Sequence, residues 1–336
     1  MKVCVVGAGA IGGYVAVRLA NAGHDVSAIA RGPHLAAIRA HGLTLVEAEQ
    51  ELVATNLTAT DRIPDLGRQD VVLLALKAHQ IAAVVEDLPA IVGPETVLVT
   101  LQNGIPWWYF QKLGGPYADR VVETVDPGGV LFNAIDPNQV VGCIAYPAAT
   151  IAEPGVIKHI EGNRFPVGEL DGSASARVAM VSALFEGGGF KARVLDDIRS
   201  EIWLKLWGNL TFNPISALTH STLVDICQFP LSRALAATMM TEAQVIAERL
   251  GASFRVPMER RIAGAESVGK HKTSMLQDVE AGKPLEIDGM LGVVVELADI
   301  TGVEVPTLRT VYACASLLNR TIQDEGLRIK GSPRAV

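Results

Sequence analysis

Along the first hundred positions, apolar residues come in short runs separated by stretches of helical period. KVCVV opens the chain as a strand, and Ile11, Val15 and Leu19 then recur on one helical face until Gly23 stops the helix. DVSAIA predicts a second strand, followed by a helix around 34–41. VVLLAL (71–76) and TVLVTL (96–101) are continuous apolar runs, as central parallel strands covered on both faces require. Such alternation predicts an α/β fold with a Rossmann-type doubly wound sheet.

After Gly104 the pattern breaks. Residues 105–140 are irregular and carry Trp107-Trp108-Tyr109. VVGCIAY, GVIKHI and RFPVGEL predict further strands joining the sheet, some antiparallel, with a helix near 174–185 and a strand near 192–195 closing it. From Ile198 onward the periodicity is helical, over 198–218, 230–250, 257–268, 285–300 and 306–322, and the final GSPRAV reads as frayed. The expected division is therefore 1–195 as the dinucleotide-binding domain and 196–330 as a second, all-helical domain.

The length of 336 residues agrees with two cores. The net charge of −7 disfavours non-specific nucleic-acid binding, which needs basic surface. No run of about 18 apolar residues predicts a membrane span. Lys2 and the apolar stretch behind it imitate a signal peptide, but Gly7, Gly9, Gly12 and Gly13 cut that stretch and Arg18 ends it. Cys4, Cys143, Cys227 and Cys314 are far apart, fit no zinc spacing, and each reads as a buried apolar thiol in a reducing cytoplasm.

Two groups of residues carry chemistry. The first is G-x-G-x-x-G at Gly7, Gly9 and Gly12, directly after a strand. Gly7 makes the turn, Gly9 admits a pyrophosphate to the backbone, and Gly12 lets helix and sheet pack closely. The helix start at Ala10 and Ile11 offers free N–H groups to phosphate. No acidic residue ends the second strand; Arg31 stands there, suited to the 2′-phosphate of NADPH/NADP+, or else simply a solvated arginine. The second group is Lys205, Asn209 and Asn213, spaced i, i+4, i+8 on one helix face within about 80° of arc. A lysine with two asparagines beside Trp203, Leu206 and Leu210 suits a small anion that must be gripped and given a proton; the alternative is a solvated polar face.

With these residues in place, nearly the whole chain resembles the ketopantoate reductase family. The matching pieces are GAGAIGG with Arg31, LKAHQ around Lys77, LQNG around Asn103, W-L-K-L-x-x-N-x-x-x-N-P, TSMLQD around Ser274 and LEIDG around Glu286. The resemblance implies NADPH-dependent reduction of 2-dehydropantoate to D-pantoate, with Lys205 as general acid and Glu286 near it and the nicotinamide ribose. Asn209, Asn213 and Ser274 would hold the substrate, Asn103 would sit between cofactor and substrate, and Lys77 would line the cofactor pocket. Family members often form homodimers through the helical domain. For Lys77, Asn103, Glu286 and Ser274 the plain alternatives are a surface lysine, an Asn-Gly turn, a helix-dipole acid and a helix cap. Two departures leave room for a paralogue acting on another small 2-keto acid. His220-Ser221-Thr222-Leu223 stands where the family usually has a further asparagine, and the stretch from Asn103 to Gly142 is longer than usual.

Overall fold

Runs of valine, leucine and isoleucine form the middle of a sheet here because both faces of that sheet are covered. The computed structural model describes residues 1–48 and 50–325; the GSPRAV tail and the last positions of the expected helical domain lie outside the described residues. The strands are β1 (Lys2–Val6), β2 (Asp25–Ile29), β3 (Leu43–Glu47), β4 (Gln50–Ala54), β5 (Thr58–Thr60), β6 (Val71–Leu74), β7 (Val97–Thr100), β8 (Val140–Cys143), β9 (Ala148–Glu153), β10 (Val156–Glu161), β11 (Val167–Glu169) and β12 (Val194–Leu195). The main sheet runs β12-β11-β8-β7-β6-β1-β2-β5. From β5 to β8 every pairing is parallel, and the order is that of a Rossmann sheet with its switch point between β1 and β6. Every residue of β6, β7 and β8 is buried, as the unbroken apolar runs anticipate. β11 then adds antiparallel to β8.

GVIKHI does not join that sheet. It forms β10 of a separate four-stranded sheet, β4-β3-β10-β9, pairing parallel with β3 and antiparallel with β9. This second sheet covers the outer side of α1 (Ala10–Asn21), the helix that follows the glycine loop. A Cβ on Gly13 would lie 2.8 Å from Ile157, so helix and second sheet meet at van der Waals distance only because position 13 has no side chain. Hence α1 is apolar nearly all round, with Tyr14, Val15, Ala16, Val17, Leu19 and Ala20 all buried. Its one charged residue, Arg18, pairs with Glu47 of β3, and Glu47 also faces His159 Nδ1 at 3.2 Å. Tyr14 stacks on that imidazole, ring centroids 4.5 Å apart.

The first compact unit comprises Met1–Val121 and Asp126–Ile198. It also holds α2 (Gly32–His41), the one-turn α3 (Ala78–Ile81), α4 (Val130–Ala134) and α5 (Ala176–Gly187). The Trp107-Trp108-Tyr109 cluster, with Phe110, packs a local core, each ring at most 2% exposed. Trp108 donates to Thr100 Oγ1 at 3.1 Å and fills the space beside Gly142, which ties the irregular segment to β7 and β8.

The second unit comprises Val122–Val125 and the described residues from Arg199 onward. Its helices are α6 (Ile198–Thr219), α7 (Leu223–Gln228), α8 (Pro230–Arg249), α9 (Met258–Ser267), α10 (Ser274–Glu280), α11 (Val293–Thr301) and α12 (Pro306–Glu325). Trp207 of α6 donates to the Met240 carbonyl of α8 at 2.7 Å. The Glu242 carboxylate accepts the N–H groups of Thr307 and Leu308 at the start of α12, satisfying donors that a helix leaves open. The Glu296 carboxylate likewise accepts the N–H groups of Glu123 and Thr124, which lie in a turn. Cys4, Cys143 and Cys227 are buried, but Cys314 is exposed on α12, against expectation. Its neighbours Ala313 and Leu317 are exposed too, so it stands on the outer face of the helix. No helix among the described residues is long and apolar enough to cross a membrane.

Candidate functional site

The glycine loop connects β1 to α1 at the switch point of the main sheet, where open α/β sheets take their ligands. Its three glycines have different causes. Gly7 has φ +103, a conformation open to glycine, and a Cβ there would lie 2.8 Å from Leu76, two residues beyond β6. A Cβ on Gly12 would meet the Gly7 carbonyl oxygen at 2.0 Å and Ala75 Cβ at 2.9 Å. Gly9 has φ −69 and no protein atom within 4 Å of its Cβ position, so neither conformation nor protein packing requires glycine there. The space beside Gly9 leads to solvent, and the N-terminus of a 12-residue helix, with half-exposed Ala10 and Ile11, points into it. An open backbone cradle at a helix N-terminus fits a pyrophosphate.

Arg31 is exposed and is the last residue before α2, two positions beyond the end of β2. Lys77 follows β6, exposed, immediately before α3. Asn103 follows β7, exposed, with Gly104 behind it at φ +83, so the Asn-Gly turn is real. Gln102 beside it donates to the Leu74 carbonyl at 2.6 Å, while its buried Oε1 has no partner among the described residues. Thus Gly7, Lys77 and Asn103 all stand at the carboxyl ends of adjacent strands β1, β6 and β7.

In the helical unit, α6 is buried almost throughout: between Glu201 and Ala217 only Lys205 and Asn209 are half-exposed. A solvated polar face is therefore the wrong description of the stripe. Lys205 and Asn209 open from an apolar helix flanked by Trp203, Leu206 and Leu210, and Asn213 is buried one turn on, its amide 3.6 Å from Met290 Sδ. Met290 belongs to a π-helical turn, Asp288–Gly292, that precedes α11. Glu286, expected in the first helical turn, stands just before this π-turn and is half-buried. The turn has fixed supports. Tyr312 donates to Asp288 at 2.6 Å and its ring occupies the place of a Cβ on Gly292, while Asn319 accepts the Leu285 N–H at 2.8 Å. Single π-turns of this kind recur at functional sites. Ser274 is the first residue of α10 and exposed, but the cap belongs to Thr273, whose hydroxyl accepts the Leu276 N–H at 3.2 Å. Capping therefore does not explain Ser274.

One cation escaped the sequence reading. Arg261 of α9 lies against α6 at Gly208, where a Cβ would sit 1.9 Å from its Nη2. A guanidinium thus flanks the Lys205–Asn209 stretch. The only hint in the sequence is a glycine in the middle of a long helix.

Comparison with known proteins gives a consistent picture. Residues 3–172 match the family profile "Ketopantoate reductase PanE/ApbA", and residues 197–319 match "Ketopantoate reductase PanE/ApbA C terminal". The 2-dehydropantoate 2-reductase of Mesorhizobium japonicum is 50% identical over 314 residues, covering 93% of this chain and 96% of that one. A solved Ralstonia solanacearum protein, provisionally named a ketopantoate reductase, is 38% identical with a TM-score of 0.91, over 95% of this chain and 98% of that one. D-mandelate dehydrogenase, solved with NADH and anilino(oxo)acetate, shares the fold at 20% identity, with a TM-score of 0.82 over 96% of this chain and 100% of that one.

Proposed function

The chain belongs to the ketopantoate reductase family, oxidoreductases acting on a keto group, and from that premise we propose that it reduces 2-dehydropantoate to D-pantoate with NADPH. The observation that carries the substrate half is the pair Lys205 and Asn209, half-open on an otherwise buried α6. When bound, the reduced nicotinamide would supply the hydride that adds to the keto carbon. The carbonyl oxygen then gathers negative charge, and the Lys205 ammonium donates the proton that makes it a hydroxyl. Asn209, Asn213 and Ser274 offer neutral donors and acceptors to the carboxylate and the neighbouring hydroxyl, and Asn103 contributes from the end of β7. Glu286 orients Lys205 and the nicotinamide ribose. The loop at Gly7, Gly9, Ala10, Ile11 and Gly12 takes the pyrophosphate, Lys77 lines the nucleotide pocket, and Arg31 pairs with the 2′-phosphate.

A second reading, reduction of a different small 2-keto acid, is favoured by the two departures from the family pattern: His220-Ser221-Thr222-Leu223 in place of a further asparagine, and the longer stretch from Asn103 to Gly142. Steady-state assays under saturating NADPH separate the two. They should compare 2-dehydropantoate with pyruvate, 2-ketoisovalerate, 2-ketoglutarate and oxaloacetate. A kcat/KM for 2-dehydropantoate at least about a hundredfold above the analogues lacking its hydroxyl is expected of a site built to bond that group. Absent turnover of 2-dehydropantoate, with good turnover of another 2-keto acid, moves the assignment to the second reading.

A further inference from the structure

The nucleotide loop is held from outside by His34, a half-buried residue in the first turn of α2. Its Nδ1 accepts the N–H of Gly155 at 3.0 Å, and its Nε2 lies 2.8 Å from the carbonyl oxygen of Ala8. A backbone N–H only donates and a carbonyl only accepts, so one tautomer satisfies both contacts: the neutral ring with its proton on Nε2. Ala8 is buried, and its own N–H donates to the Ile29 carbonyl at the end of β2, 2.8 Å away. The peptide that bears the Ala8 carbonyl also bears the Gly9 N–H. It is planar and trans, so the two groups point in opposite directions, and fixing one aims the other.

That N–H has no protein acceptor among the described residues, and the space beside Gly9 is open. On its far side His34 leans on a firm support. Gly155 turns the β9–β10 hairpin at φ +82, its carbonyl accepts the Thr44 N–H at 2.9 Å, and a Cβ there would lie 2.9 Å from Ala37. The second sheet is thus the anchor, the imidazole is the strut, and the Ala8–Gly9 peptide is the part held.

We propose that His34 is a positioning residue for the nucleotide: by holding the Ala8 carbonyl it directs the Gly9 N–H toward the pyrophosphate. The inference rests on the dinucleotide reading above, and it predicts a defect confined to pyrophosphate-bearing ligands. His34→Leu should be titrated with NADP+, which has the pyrophosphate, and with 2′-AMP, which has the adenine and 2′-phosphate alone. The Kd for NADP+ should rise about tenfold, the worth of one well-placed hydrogen bond, while that for 2′-AMP stays within about twofold. With NADPH saturating, kcat should stay within about twofold of wild type, so that the loss falls on KM for NADPH. His34→Gln keeps an NH2 donor near the position of Nε2, facing the Ala8 carbonyl, and should recover most of the NADP+ affinity. Equal loss of both ligands in His34→Leu, or no loss of either, overturns the proposal. Wild-type protein that binds 2′-AMP but not NADP+ overturns it too. Wild-type protein that binds neither overturns the dinucleotide reading, and this inference with it.

Discussion

The Cβ that Gly12 lacks would lie 2.0 Å from the carbonyl oxygen of Gly7, so the turn into α1 closes only with a bare backbone at position 12. Gly9, three residues earlier, faces no protein atom at all. The two glycines should therefore fail in different assays. Gly12→Ala forces apart two backbone segments and should lower the melting temperature by several degrees, on the order of 1–3 kcal/mol. Gly9→Ala should melt like wild type and yet bind NADPH at least about tenfold more weakly, because its methyl group occupies the approach path of the phosphates. A Gly9→Ala protein with normal NADPH affinity would show that the pyrophosphate does not pass there.

Arg31 should decide between the two nicotinamide cofactors. It is exposed at the start of α2, and Ala30 before it offers no carboxylate for a ribose hydroxyl. Wild type should prefer NADPH, and Arg31→Ala should cost about 1.5–3 kcal/mol in NADPH binding, as for a hydrogen bond to a charged group. NADH binding should hardly change. Equal wild-type affinity for both cofactors would remove Arg31 from the site.

Lys205→Ala should lower kcat about 10²–10⁴-fold, the range for losing a general acid, with NADPH binding nearly intact. Wild-type turnover in the variant would refute the assignment. Glu286→Ala should also lose rate. If its kinetics are unchanged, Glu286 serves only the helix that follows it.

Two phenols should titrate late. Burial is the largest cause that pushes both Tyr14 and Tyr312 from the usual 10.0 up to about 12, reinforced by Glu47 at Tyr14 and by the hydrogen bond to Asp288 at Tyr312. In an unfolded chain these phenols ionise near 10, so between pH 10 and 12 the unfolded form holds fewer protons than the folded one. Stability complete below pH 10 is therefore lost as pH rises through that window. Absorbance at 295 nm should show a late-ionising phase, and that phase should lose amplitude in each of Tyr14→Phe and Tyr312→Phe. A late phase that keeps its full amplitude in both variants would contradict the burial that shifts them.

Much of this was legible in the residues, for reasons that also mark where legibility stopped. VVLLAL and TVLVTL are apolar at every position because β6 and β7 are covered on both faces, so they announce central strands. LTLVE and QELVA, which form β3 and β4, are only partly buried and carry charge, and nothing local says that they pair into a second sheet. GVIKHI reads as a strand but not as β3's partner, because more than a hundred residues separate the two. On the functional side, Lys205, Asn209 and Asn213 are legible since one helix places all three. Arg261 and His34 are not: each matters through a contact with a distant residue, Gly208 or Gly155, that only the folded chain creates.

The position of α1 between two sheets has a consequence for how the protein breathes. A helix with one open face can loosen by itself, but this one has β1 on one side and β10 on the other, and neither sheet can separate without baring Tyr14, Val15 and Ala16 to water. Deuterium uptake should therefore be slowest in α1, and β3 and β10 should exchange together with it rather than as an independently melting flap. Whatever admits and releases the cofactor, the seat on which its phosphates rest would stay still while it happens.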